Sequence, residues 1–417
     1  MKKFQPVIVG GDIGAYALAR EFNDAYGVVP VLVTKYDPLA IRDSAIVTRH
    51  QCDSADDAEG LVAELEALGA RLTAQNPGVP LLLLANTDWR IRVLAEHRER
   101  LERFYLVPIP SLDTIDLVSD KEGFARVAAE QNLPVPRSCY QDLSGADAPD
   151  WRPAPLPEDL TFPLVAKPAD SSAYETLEFE GRKKVYFIRD AAALEDLWRT
   201  LADAGFRSRF VVQQLVPGDD TAMYSVTAYV DSRGQVSMNV AARVLLEEHA
   251  PATLGNPCAM ITFDAPELFA AAERFLTATG YRGFANFDIK QDPRTGQFFF
   301  LEVNPRIGRN SFYCVGAGVN PMEVLVADVI DGEPAAPARY TAGCLYTLVP
   351  GRLLDRYVRD ETLSRRVWEL RRSGRVLNPL NNPKDAAPRR RAYRLAGELN
   401  QWRKFRRFYP EPTDTGF

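Results

Sequence analysis

Two apolar runs of strand length constrain this chain more than any other stretch: Gly283-Phe284-Ala285-Asn286-Phe287-Asp288 and Phe299-Phe300-Leu301-Glu302-Val303-Asn304-Pro305-Arg306. The turn Asp292-Pro293-Arg294-Thr295-Gly296 lies between them, so the pair reads as an antiparallel hairpin. Side chains alternate across a strand, and the pairing brings Asp288 and Glu302 together on one face, with Asn304 two residues further on. Two carboxylates in an apolar setting are costly unless a cation neutralises them. Oxygen donors of this kind suit Mg²⁺, completed by phosphate oxygens of a substrate, better than zinc or iron. Asp288, Glu302 and Asn304 are therefore the candidate metal ligands, with Mn²⁺ as the substitute ion. The alternative is a solvated surface hairpin with scattered acids.

The rest of the composition narrows the class. At 417 residues the chain is long enough for two or three domains, and 46% hydrophobic with 25% charged residues is the balance of an ordinary soluble protein. The start runs directly into Phe4-Gln5-Pro6-Val7-Ile8-Val9 without a signal-peptide pattern, and no apolar run reaches membrane-spanning length. Five scattered cysteines form no C-x-x-C pair, which predicts reduced, buried thiols and a cytoplasmic location. Three histidines (His50, His97, His249) give a His-based metal site or a His-dependent triad little material, and His249 reads as a solvated loop residue. The net charge of −6 hides an asymmetry: from Pro350 onward there are 17 Lys/Arg against 8 Asp/Glu, a balance of +9 that leaves −15 elsewhere. Such a segment implies an anionic partner or an internal docking surface. Its clusters at 389–391 and 403–407 would either meet an anionic acceptor at the membrane surface or pair with the acidic body. The acidic body argues against nucleic acid.

Along the chain, strand-like Val7–Val9, 28–34 and 81–85 alternate with helical patterns at 15–26, 58–68 and 90–104, which predicts a parallel, doubly wound sheet. The turn Gly10-Gly11-Asp12-Ile13-Gly14 falls short of G-x-G-x-x-G, so a dinucleotide-dependent enzyme is a weaker reading of this unit. A helix capped by Ser119 or Asp120 begins at Lys121 and ends before Leu133-Pro134-Val135-Pro136. The stretch 144–163 reads as a surface connection.

Three further stretches carry charge or free backbone. Lys167, in Leu164-Val165-Ala166-Lys167-Pro168, ends a β-branched run and needs an anion such as phosphate. Phe210-Val211-Val212-Gln213-Gln214-Leu215-Val216-Pro217-Gly218 is a strand leading into an extended hinge. Its free backbone groups suit a planar base edge, with Leu215 and Val216 against the face, and the Gln213 carbonyl can accept from an amino group. Arg243 alternates with apolar neighbours on a strand, where a buried arginine needs either a phosphate or carboxylate of a ligand, or an internal partner such as Glu247.

The ordered series Lys121, Lys167, Gln213–Val216, Asp288, Glu302-Val303-Asn304-Pro305-Arg306 resembles the ATP-grasp superfamily over about residues 110–335. The pattern is similar to that of the amino-acid ligases related to D-aspartate ligase and of the carbamoyl-phosphate synthase fold. The resemblance implies an α/β chain, α+β in its ATP-grasp part. A Rossmann-like pre-ATP-grasp domain would span 1–112, a two-subdomain ATP-grasp domain 113–335 and a basic C-terminal region 336–417. It implies an enzyme that uses ATP and Mg²⁺ to join a carboxylate to an amine, each a small molecule or a peptide, through an acyl-phosphate. A homodimer and an anionic lipid-linked cell-wall precursor are the implied partners. It also implies that Lys121, Lys167, Ser171, Ser172, Gln213, Gln214, Leu215, Val216 and Asp220 bind the nucleotide, Asp220 at the ribose. Lys167, Arg243 and Arg306 would serve the phosphoryl transfer. Three departures stand out: the loop at 169–184 has glycine only at Gly181, Gln213 replaces the usual Glu, and Asn286 stands where D-alanine–D-alanine ligases carry an Arg. A nucleotide-binding regulator with a degenerate ligase site is the competing reading.

Overall fold

The structure, a computed structural model, describes residues 4–169, 174, 177–251, 253–334, 336–338, 340 and 342–416. Among the described residues the strands form three sheets. The first is parallel: β1 (Gln5–Val9), β2 (Val31–Thr34), β3 (Thr48–Gln51), β4 (Leu81–Ala85) and β5 (Tyr105–Leu106), in the order β3-β2-β1-β4-β5. Its central strands are continuous Val, Ile and Leu runs because helices cover both faces. The flanking helices Ile13–Tyr26 and Ala58–Gln75 are capped by Asp12 and Asp57, which accept from Ala15 N at 3.0 Å and Gly60 N at 2.7 Å.

Several boundaries differ from the sequence reading. The helix expected to stop at Leu68 continues to Gln75, because Gly69 is there for close packing: a Cβ on it would lie 2.7 Å from Phe104 Cβ. The helix expected over 90–104 divides into Asp88–Glu96 and Arg98–Leu101. Strand β2 starts after Pro30, which has no N–H and only accepts, from Thr48 N at 2.9 Å.

A small antiparallel sheet follows the helices Leu112–Ser119 and Lys121–Glu130. It contains β6 (Ser138–Asp142), β7 (Leu164–Pro168), β8 (Tyr186–Ile188) and β9 (Arg209–Gln214), ordered β6-β9-β7-β8. The helix Ala191–Asp203 buries Leu194, Leu197, Trp198 and Leu201 beside it.

The large sheet contains β10 (Met223–Val230), β11 (Val236–Glu247), β12 (Pro257–Phe263), β13 (Gly283–Gln291), β14 (Phe298–Asn304), β15 (Leu345–Thr347) and β16 (Val376–Leu377). Their order is β14-β13-β10-β11-β12-β15-β16. One face packs on the helices Lys121–Glu130 and Pro266–Ala278 through Phe124, Phe275, Phe287 and Ile289. The other shares a core with the first sheet, where Ile8, Tyr16 and Phe22 join Val240, Ala242 and Met260. Shared burial of this kind fixes how the two units meet, since close-packed interiors do not slide.

The C-terminal residues add β15 and β16 to the large sheet and then cross back to the first one. Asp385, 4% exposed, accepts from Tyr16 Oη at 2.8 Å, Ser44 Oγ at 2.6 Å and Ala45 N at 2.8 Å, and pairs with Arg390 at 3.0 Å. Arg390 Nη1 also donates to the carbonyls of Leu39, Ala40 and Arg42. In the 389–391 cluster, Arg390 is thus an internal strut, and an acceptor-docking role does not apply to it. No helix among the described residues is long and apolar enough to cross a membrane.

Candidate active site

The β13–β14 ladder pairs Asn286 with Asn304, Phe287 with Val303 and Asp288 with Glu302, then shifts register so that Ile289 faces Phe300. Leu301 is the extra residue, a bulge that redirects its side chain. Strand alternation leaves Phe287 and Val303 in the core and sets Asn286, Asp288, Glu302 and Asn304 on the other face.

A buried polar network orients Asp288. Its Oδ2 accepts from Asn304 Nδ2 at 3.0 Å and its Oδ1 from Asn286 Nδ2 at 3.3 Å. Asn286 Oδ1 accepts in turn from Ser225 Oγ at 3.1 Å and Thr227 Oγ1 at 2.9 Å, and Thr227 meets the Tyr313 hydroxyl at 2.8 Å. Asn286, 4% exposed, therefore has both ends of its amide committed and positions Asp288. Asn304 Nδ2 faces two acceptors, Asp288 Oδ2 and Asn286 O at 3.3 Å, and among the described residues nothing donates to its Oδ1, which can serve as a metal ligand.

The electrostatics of the pair are asymmetric. Burial, then the adjacent Glu302, raises Asp288 to about 7, against the pull of Arg306 and the Asn304 hydrogen bond. Burial also opposes ionisation of Glu302, yet Lys167, Lys121, Arg306 and a hydrogen bond with Asp288 together hold it below its ordinary value. Glu302 is thus the more readily ionised member, and Asp288 is partly protonated near neutrality. The three cations reach it from three elements: Lys121 from a helix start, Lys167 from β7, and Arg306 from the loop after β14. Arg306 Nε lies 3.1 Å from Asp88 Oδ1 on the first unit, and Arg309 Nε lies 3.0 Å from Asp12 Oδ2. Among the described residues no group of three or more His, Cys, Asp or Glu side chains is arranged to hold a metal. Two carboxylates plus a carboxamide oxygen is instead a sparse, all-oxygen donor set, and it fits Mg²⁺ shared with phosphates.

A small cleft of about 20 Å³, reached by Leu301 next to Glu302 in the chain, is lined by Lys121, Phe124, Tyr140, Lys167 and Gln213 among others. Its lining combines the ammonium groups of Lys121 and Lys167 with apolar and aromatic side chains.

No protein-family model matches the chain. A D-aspartate ligase of Enterococcus faecium (strain Aus0004) is 28% identical over 367 residues, covering 86% of this chain and 86% of that protein. The biotin carboxylase domain dimer of the Hydrogenobacter thermophilus 2-oxoglutarate carboxylase, solved with MgADP, ADP and bicarbonate, superposes with TM-score 0.59 at 13% identity. That match covers 83% of this chain and 74% of that one. The N5-carboxyaminoimidazole synthetase of Staphylococcus aureus, complexed with ADP, gives 0.55 at 16% identity over 82% of each chain. The L-amino acid ligase of Bacillus licheniformis gives 0.53 at 16% identity, over 79% of this chain and 74% of that one. The chain has the ATP-grasp fold.

In the ATP-grasp frame the remaining residues can be placed. Gln213 lines the cleft from β9, Gln214 N donates to Arg137 O at 2.8 Å, Leu215 is half-buried and Val216 is buried. Ser171 and Ser172 lie outside the described residues. Asp220 is buried, and its Oδ2 accepts from Glu247 N at 2.9 Å and pairs with His249 Nε2 at 2.9 Å, so any ribose contact would fall to Oδ1. His249 corrects the sequence reading: its side chain is only 6% exposed, stacked on Tyr409 with ring centres 3.5 Å apart.

Arg243 requires a second correction. It pairs in register with Tyr224, whereas Ser225, opposite Asp288, pairs with Ala242, so alternation turns Arg243 to the face away from the carboxylates. Its guanidinium sits 5.4 Å from the Tyr224 ring centre and Nε donates to Thr221 O at 2.7 Å. It is not part of the catalytic cluster, nor does it pair with Glu247. The residues the sequence reading missed are Leu301, Tyr140, Asp88 and Arg309. Only Leu301 had a local signal, the break in alternation within the run 298–301. A dinucleotide site at the first glycine turn is disfavoured sterically, because the Arg309 backbone already packs on Gly14 at the start of the helix: a Cβ there would lie 3.0 Å from Arg309 Cα and O.

Proposed function

We propose that this chain is an ATP-dependent carboxylate–amine ligase. The observation that carries the reading is Glu302, held ionised beside Asp288 by Lys121, Lys167 and Arg306 from three separate elements. The 28% identity to a D-aspartate ligase supports an amino acid as one substrate and a carboxylate or amine on a peptide as the other.

A carboxylate oxygen of the first substrate attacks the γ-phosphorus of ATP, and the bond to the bridging oxygen breaks with its electron pair leaving on ADP. The amine lone pair then forms the C–N bond, the C–O bond to phosphate breaks, and the amine proton leaves to phosphate or water. Lys121 and Lys167 would bind the phosphates and Arg306 would neutralise the transferring group, which needs positioning and charge more than covalent help. Asp288, Glu302 and the Asn304 carboxamide oxygen would hold Mg²⁺, which would supply further charge neutralisation for the phosphoryl transfer. Asn286 and Asn304 keep Asp288 in place.

A soluble enzyme working in the cytoplasm, without nucleic acid, fits this reading. A second copy of the chain and an anionic, lipid-linked acceptor are the partners it admits. The helix Pro388–Phe408 exposes Leu395, Leu399 and Trp402 beside Arg391, Arg403 and Arg406, the surface open to such an acceptor.

The test is ADP formation from ATP and Mg²⁺ with paired pools of amino acids and peptides. Release that requires both an amine and a carboxylate supports the ligase, and Glu302→Gln abolishes it while leaving the fold intact. ATP binding with no turnover for any pair would favour the regulatory reading instead.

A further inference from the structure

We infer that the crevice at the carboxyl ends of β1 and β4 binds the non-reacting carboxylate of an amino-acid substrate, with Arg90 as its anchor and Asn86 as the neighbouring acceptor. This rests on the ligase reading and specifies where the amino acid sits. The order β3-β2-β1-β4-β5 reverses between β1 and β4. Open parallel sheets bind ligands at that switch point, where the two following loops diverge. The loops here are Gly10–Asp12 after β1 and Asn86–Thr87 after β4.

The groups at this point are polar and incompletely matched. Arg90, in the first turn of the helix Asp88–Glu96, is half-buried and makes no hydrogen bond or ion pair among the described residues, and its Nε is buried without an acceptor. Asn86 is 3% exposed; its Nδ2 donates to Asp12 Oδ1 at 3.0 Å, and its Oδ1 has no donor among the described residues. Thr87, the N-cap of the same helix, makes no side-chain cap bond. Gly10 stands at φ +147°, and a Cβ on it would lie 3.2 Å from Asn86 Oδ1 and 3.5 Å from Arg90 Nη1, so the glycine keeps open the point that both atoms border. A buried acceptor and a sheltered cation without partners are unfavourable in the empty fold, which is how a site built for a ligand differs from a structural ion pair.

The neighbouring charges are committed. Of the three arginines on this wall, Arg306 is held by Asp88 and Arg309 by Asp12, and Arg90 is left for an external anion. An amino acid matches both deficits. Its carboxylate gives the guanidinium a bidentate acceptor, and its ammonium gives Asn86 Oδ1 a donor. Arg90 lies two residues from Asp88, which contacts Arg306, so a substrate anchored here extends its other end toward Arg306 and the phosphate-binding cations.

The experiment uses the full chain. Because Arg90 makes no hydrogen bond or ion pair among the described residues, Arg90→Gln keeps the melting temperature. It raises KM for the amino acid about tenfold or more while KM for ATP stays within about twofold. Arg90→Lys, which keeps the charge, recovers part of the loss, as a packing defect would not. Unchanged KM for the amino acid in Arg90→Gln overturns the assignment and leaves the ligase reading standing. Calorimetric titration with D-aspartate decides the site without turnover. Binding by the wild-type chain that disappears in Arg90→Gln supports it, even if no substrate pair yields ADP and the ligase reading falls. Equal binding by both, or none by the wild type, overturns it.

Discussion

Mg²⁺ binding should release a proton from Asp288, and the amount follows from the site's electrostatics. Burial and the facing Glu302 hold the Asp288 carboxyl at about 7, so near neutrality it is partly protonated. A divalent ion needs the ionised form. Titrating MgCl₂ into nucleotide-free protein should therefore release ~0.9 proton per ion at pH 6, ~0.5 at pH 7 and ~0.1 at pH 8. The apparent affinity should fall about tenfold per pH unit below 7 and level off above it. For stability the sign is fixed by the raised value. A carboxyl whose folded pKa exceeds its unfolded one favours the metal-free fold below the unfolded value, and that contribution is lost as pH rises through about 7. Added Mg²⁺ should then stabilise most on the alkaline side. Calorimetry in two buffers of different protonation enthalpy counts the protons directly. The same titration of Asp288→Asn should show no pH-dependent release. A proton count that stays flat from pH 6 to 8 in the native chain would refute the account.

Lys167→Ala should weaken ATP binding by roughly 1.5–3 kcal/mol, the worth of a charge-assisted contact, and slow phosphoryl transfer; unchanged nucleotide affinity would make Lys167 a solvated strand-end lysine. Asp385→Ala should destabilise the fold by about 3–5 kcal/mol, since it leaves Arg390 buried and unpaired, whereas the exposed Arg391→Gln should cost under ~0.5 kcal/mol; chemical denaturation compares them. If the exposed Leu395–Trp402 face meets a lipid-linked acceptor, the chain should co-sediment with anionic vesicles at low salt and lose binding in Leu399→Glu.

What the sequence made legible was local. The hairpin carrying Asp288 and Glu302 could be read because its turn and its period-two pattern lie within about twenty residues. The central strands of the first sheet were equally plain as unbroken apolar runs. Strand β3, Thr-Arg-His-Gln, had no apolar signal, because an edge strand needs only one bonded neighbour and is otherwise exposed. The orientation of Arg243 was hidden because the alternation of one strand says which residues share a face, never which face meets the site. His249 looked solvated because the ring that covers it, Tyr409, arrives from the far end of the chain.

The same reasoning explains why the basic C-terminal residues divide into two populations. Arg390 and Lys404 face acids that are themselves buried, Asp385 and Glu248, and such acids need a fixed cation more than a mobile one. Glu248, 3% exposed, accepts from Lys404 Nζ at 3.0 Å and Gln401 Nε2 at 2.8 Å, which holds it below its ordinary value despite burial. Together with the stacked His249 and Tyr409, these contacts tie the helix Pro388–Phe408 to the end of β11, while Asp385 and Arg390 tie its start to the first sheet. The helix thus spans the two units whose facing loops carry Asp88 and Arg306. If Arg306 and Arg90 serve the substrate as proposed, its effect on the site is geometric: it restrains the distance across which Arg306, Asp88 and Arg90 face one another. That restraint, more than any charge delivered to ATP, is the role its inward-facing residues can have, and only the outward-facing arginines are free for a partner.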